Sequence, residues 1–134
     1  MNRPVLLAAA LALVTGGLVF FLWPRADAGP ALARQSTERY AVELTTSGLR
    51  QGGNTFALAV TDRAGAPADL AEVTVEPVMP QMGHALTPTR AHRESPGRYR
   101  AADTLLPMSG PWQLTVVLHG PKGVDRVVFP LLVK

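Results

Sequence analysis

The chain has no cysteine in its 134 residues. That excludes disulfides, thiolate zinc sites and thiol nucleophiles. Aromatic residues are scarce, with four Phe, two Trp and two Tyr, so no stacking platform for bases is present. Charge of either sign is also in short supply. The formal net charge is +3, and setting aside residues 1–28 (Arg3, Arg25 and Asp27) leaves +2. The basic residues stand singly, as at Arg50, Arg63, Arg98, Arg100, Lys122 and Arg126, which argues against a nucleic-acid partner.

Catalytic constellations are missing as well. The acidic residues Glu43, Asp62, Glu76 and Asp103 are isolated rather than paired. Ser36, Ser47, Ser95 and Ser109 lie in no nucleophile-elbow motif, and no glycine-rich phosphate loop opens a helix. The sequence therefore does not predict an enzyme.

What the chain does have begins at its N-terminus. Val5 to Trp23 carries no charged residue, and Thr15 is its only polar side chain. As a helix these residues span about 28 Å, close to the ~30 Å hydrocarbon thickness of a bilayer. The run is longer than a usual secretory h-region, and Trp23 suits an interfacial anchor. Residues 1–24 are thus expected to form a single transmembrane helix with a cytoplasmic N-terminus. The rival expectation is a cleaved signal, for which Ala26-Asp27-Ala28 and Ala31-Leu32-Ala33 offer small-residue sites. Both readings export the remainder, giving either a single-pass membrane protein or a periplasmic or secreted one.

Residues 25–37 are rich in Ala, Gly, Pro and Arg without a sustained period, and are expected to be a linker. From residue 38 to 134 period-two patterns dominate. Tyr40, Val42 and Leu44 form one set, Phe56, Leu58 and Val60 another, and Val73 and Val75 a third. Trp112, Leu114, Val116 and Leu118 follow. Gln51-Gly52-Gly53-Asn54, Asp62 to Pro67, Ser95-Pro96-Gly97 and Gly120-Pro121-Lys122-Gly123 supply the turns. About seven short strands with one buried face predict an all-β, immunoglobulin-like β-sandwich. Pro130 inside the last run marks an edge or a bulge.

Between Val78 and Trp112 lie the only residues that form a chemical constellation. Met79, Met82, His84 and Met108 include every methionine except Met1. Thioether sulfur is soft and uncharged and favours Cu(I), which imidazole also tolerates. In an extended segment Met82 and His84 point the same way, but Pro80 and Gly83 bend this one, so Met79 either joins them or enters the core. The alternative is that the methionines fill core gaps while His84 is solvated. His92, in a run of Arg and Glu, and His119, on the polar side of its strand, are weaker candidates.

The chain resembles the YtkA-like domain family, related in layout to FixH-type proteins, over about Tyr40 to Leu118. The carriers are Val60 to Pro67, the strand Ala71 to Val75, Met79-Pro80-Gln81-Met82-Gly83-His84, Pro96-Gly97-Arg98-Tyr99 and Met108-Ser109-Gly110-Pro111-Trp112. Pro111 before Trp112 and Leu70-Ala71 in place of a Gly–Ala pair depart from the family pattern, and neither touches a donor. The resemblance implies a membrane-tethered or secreted immunoglobulin-like domain, often near copper handling and haem-copper oxidase assembly. By similarity a Cu(I) site falls on Met82, His84 and Met108, with Met79 at its margin. The implied partner is a copper-receiving protein or a membrane complex. A metal-free interaction domain supporting such a complex is the other expectation.

The N-terminal segment generates a direct prediction. The full chain, expressed in a bacterial host, stays with membranes through an alkaline wash and keeps an intact mass of 14.3 kDa. A shortened product beginning at Gly29 or Arg34 would contradict the anchor.

Overall fold

The structure is a computed structural model and describes residues 31–134. The proposed transmembrane helix at residues 1–24 lies outside the described residues. Among those described there is no α-helix, and no helix is long and apolar enough to cross a membrane.

Among the described residues nine strands appear where the sequence predicts about seven. They are β1 (Ala31–Ser36), β2 (Tyr40–Thr46), β3 (Gly52–Asp62), β4 (Glu72–Met79), β5 (His84–Ala85), β6 (Thr89–Ser95), β7 (Arg98–Leu106), β8 (Gly110–Gly120) and β9 (Gly123–Val133). Two of these escape a periodicity reading for physical reasons. Strand β1 has no alternating apolar pattern, because it is an edge whose backbone pairs with β2 alone. It places the start of the sheet inside the stretch where the sequence predicts linker. Strand β5 is only two residues long and pairs only with β4.

All pairings are antiparallel, in the order β1-β2-β3-β7-β6-β4-β8-β9. Strand β6 divides its allegiance. Thr89 to Ala91 pair with Val75 to Val73 of β4, and His92 to Ser95 pair with Arg100 to Arg98 of β7. The two outer strands, β1 and β9, approach each other, so the sheet is nearly closed. A polar clamp fastens this seam. Arg39 pairs with the buried carboxylate of Asp125 at 2.6 Å, and Thr37 donates to the same carboxylate at 2.7 Å.

Alternation explains the core. Val42, Leu44, Phe56, Leu58, Val60, Val73, Val75, Leu114, Val116, Leu118 and Phe129 face inward and are buried. Each contributes roughly 1.5–3 kcal/mol of apolar burial. The Gly120–Gly123 pair closes the expected tight turn through Pro121 and Lys122. Pro130 sits on β9, an edge strand, where its missing N–H breaks no ladder bond to a further strand.

Two buried polar groups stand in opposite states. The Tyr99 hydroxyl accepts from the Leu70 N–H at 2.8 Å and donates to the Ala68 carbonyl at 3.0 Å, tying the β3–β4 connection to the start of β7. Thr104 is buried beside a β-bulge, and its hydroxyl has no partner among the described residues. Opposite signs follow for their removal. Tyr99→Phe lowers stability by about 1–3 kcal/mol, and Thr104→Val raises it by about 1 kcal/mol. Urea denaturation of the two variants checks both values.

Candidate functional site

The Met79–His84 segment is a tight hairpin. Val78 pairs with Ala85 and Met79 with His84, which leaves Pro80, Gln81, Met82 and Gly83 as the loop. Pro80 to Met82 form one 3-10 turn, with proline at its start where no N–H is needed. Gly83 closes it at φ 64°, a left-handed conformation that favours glycine. Its N–H donates to the Pro80 carbonyl at 3.3 Å, and Leu86 N–H donates to Pro77 at 2.9 Å.

The hairpin separates the methionines. Met79 continues the inward alternation of Val73, Val75 and Pro77 on β4 and is only 4% exposed. Its methyl lies against Gly110, where an added Cβ would stand 3.5 Å away. Met82, on the turn, is 51% exposed. The described residues include the His84 backbone, while its side chain lies outside what is described.

Met108 reaches the same end of the fold by a different route. It lies in the three-residue connection from β7 to β8, and the Pro80–Met82 turn rests against β8. The connection is held by its carbonyls. The buried Trp112 donates its indole N–H to the Met108 carbonyl at 2.9 Å. Gln51 donates to the Pro107 carbonyl at 3.2 Å. Gln51 is itself presented by a loop built on the buried Asn54, whose amide donates to Arg50 and Gly52 carbonyls and accepts from the Arg50 N–H. With its backbone clamped, the Met108 side chain faces solvent, 44% exposed.

The structure thus brings Met82, Met108 and the His84 backbone to one end and turns Met79 inward beneath them. His92 pairs opposite Arg100, and His119 pairs with Glu72 at the start of β4, away from the hairpin. Among the described residues no three His, Asp and Glu side chains converge as a metal site. At the hairpin end the two exposed thioethers are a donor type suited to a soft monovalent ion, and the Asp103 carboxylate stands beside Leu105 and the Leu86–Thr89 segment that follows the hairpin. Ser109 lies between Met108 and Gly110 with no base bonded to it among the described residues.

Leu105 and Leu132 are additional features of this end, at 53% and 64% exposed. Alternation alone does not reveal them. Both occupy outward positions near strand termini, where a polar residue is the usual choice.

The YtkA-like family model matches residues 34–117. No curated protein matches the chain. Among solved structures, that of the Br derivative of BhCBM56 is similar at a TM-score of 0.50 and 14% identity, covering 74% of this chain and 97% of that one. An engineered protein is similar at a TM-score of 0.54 and 15% identity, covering 72% of this chain and 20% of that one. The chain therefore spans about a fifth of the engineered protein. At these identities the likeness concerns the fold alone.

Exposure orders the methionines by reactivity. Limited hydrogen peroxide oxidises Met82 and Met108 to sulfoxide well before Met79, as read by peptide mass spectrometry. Equal rates at all three would show that Met79 is not packed as described.

Proposed function

The chain belongs to the YtkA-like family, and on that premise we propose that it is a membrane-anchored extracytoplasmic domain that binds Cu(I) for handling or delivery. Copper is the cargo. Met82 and Met108 are its sulfur donors and His84 its nitrogen donor. Met79 packs beneath as the floor, and Trp112 holds the Met108 backbone in place. The observation that carries the reading is that Met82 and Met108 are both exposed at one end of the fold, while Met79 is buried beneath them. Two or three neutral donors bind a soft cation without trapping it, which suits transfer to a second site. No catalytic activity is assigned.

The finer architecture belongs to the same proposal. An immunoglobulin-like arrangement is supported by a strand, β6, that pairs into both halves of the sheet. It is further supported by the Tyr99 hydroxyl reaching back to Ala68 and Leu70, in the manner of a tyrosine corner. The anchor is the apolar segment Val5–Trp23, which leaves residues 38–134 outside the cytoplasm. If the segment is instead a cleaved signal, the domain is periplasmic or secreted with the same site.

A second reading rests on the exposure of Met82. Methionine is adaptable at contact surfaces, and in this reading the hairpin is the contact face of a metal-free domain that supports assembly of a membrane complex.

Anaerobic Cu(I) competition against a chromophoric chelator tests the first reading on the detergent-solubilised full chain. Wild type competes, and Met82→Leu with Met108→Leu weakens binding about tenfold or more, equivalent to about 1.4 kcal/mol. Both positions are exposed, so leucine leaves the core unchanged. Unchanged competition by the double variant would end the metal assignment. Binding of one partner by wild type and double variant alike, without copper, would favour the assembly reading.

A further inference from the structure

The two ends of the sheet differ in character. At the end carrying Met82 and Met108, the connections span residues 47–51, 80–83, 86–88 and 107–109. They hold one charged residue, Arg50. At the opposite end the connections span residues 37–39, 63–71, 96–97 and 121–122. Those hold five: Glu38, Arg39, Arg63, Asp69 and Lys122. Four of the six exposed large apolar side chains among the described residues sit at the charge-poor end: Met82, Leu105, Met108 and Leu132. Leu105 pairs opposite Gly53 and Leu132 opposite Pro111, both at strand starts on that side.

The chain also enters from that side. Strand β1 runs away from the methionine end, with Ala31 opposite Thr45 and Ser36 opposite Ala41. Only Pro24 to Pro30, seven residues, separate Trp23 from Ala31. Fully extended they reach at most about 25 Å. That is shorter than the roughly 36 Å of the eleven-residue β9. A domain on so short a tether, joined on its apolar side, keeps that side near the membrane.

We propose that this end rests on the lipid bilayer, with Met82, Leu105, Met108 and Leu132 at the headgroup–acyl boundary. The inference rests on the anchor reading above and is independent of copper. Apolar side chains at the interface gain burial that water denies them. Arg50 and Lys134 lie at this end, as does the exposed Asp103 carboxylate beside Leu105, so charge of one sign does not decide the contact and apolar burial carries it. Cargo held at Met82 and Met108 would then be presented at membrane level, to an acceptor within the bilayer rather than to a soluble protein.

The absence of cysteine makes the test clean. Ser109→Cys and Lys122→Cys mark the two ends, and each full-length variant carries one environment-sensitive fluorophore in phosphatidylcholine–phosphatidylglycerol vesicles. Headgroup-nitroxide lipid quenches the label at residue 109 several-fold more than the label at residue 122. Leu105→Glu with Leu132→Glu brings the two labels to similar quenching, with circular dichroism verifying the fold. Equal quenching in the parent variants, or stronger quenching at residue 122, overturns the proposal while leaving the anchor intact. Release of the chain from the vesicles by alkaline wash overturns the anchor and the proposal together. Proximity of residue 109 to lipid only in native membranes would assign this end to a membrane protein and refute direct lipid contact.

Discussion

Strand β4 fixes where every other part of the site stands. It is paired on one side with β8 and on the other with β5 and β6, and its inward face is Val73, Val75, Pro77 and Met79. A slip of one residue would turn all four to the outside and bury Thr74, Glu76 and Val78 instead. The apolar core forbids that slip, so the position of Met79 is set by packing and not by the turn that follows. Only after Met79 does the chain leave the sheet, and the residues it then displays are free to serve something other than the core.

The Pro80–Gly83 turn and the β7–β8 connection carry the methionines by unlike means. The first is a short local solution, in which proline begins the turn and left-handed Gly83 ends it. The second depends on distant groups. Trp112 and Gln51 hold the carbonyls of Met108 and Pro107, and Asn54 holds the loop that offers Gln51. Backbone restraint combined with side-chain freedom is what a site needs if it is to bind and release cargo. Met82 and Met108 are exposed while Met79 is buried, so the loop methionines are the ones a ligand can reach.

Much of this was legible in residues alone. Period-two runs such as Phe56-Leu58-Val60 and Trp112-Leu114-Val116-Leu118 mark strands because one face is buried, and those strands are present. The Gly120–Gly123 turn was equally plain. Ala31–Ser36 was not, since an edge strand held through its backbone leaves no hydropathy signature. For the proposed site, the motifs M-P-Q-M-G-H and M-S-G-P-W supply the candidate donors, but spacing leaves the direction of Met79 open. The register of β4 decides it. The apolar end formed with Leu105 and Leu132 was invisible in sequence, because it arises where strands distant along the chain terminate together.

Met82 and Met108 are proposed to act as a pair toward one soft metal ion, with His84 as the third donor. X-ray absorption at the copper edge, on the full chain loaded anaerobically with one equivalent of Cu(I), tests it most directly. Sulfur scatterers together with one imidazole are expected, with loss of the sulfur contribution in Met82→Leu with Met108→Leu. A spectrum with nitrogen and oxygen neighbours alone, unchanged in the double variant, would contradict it.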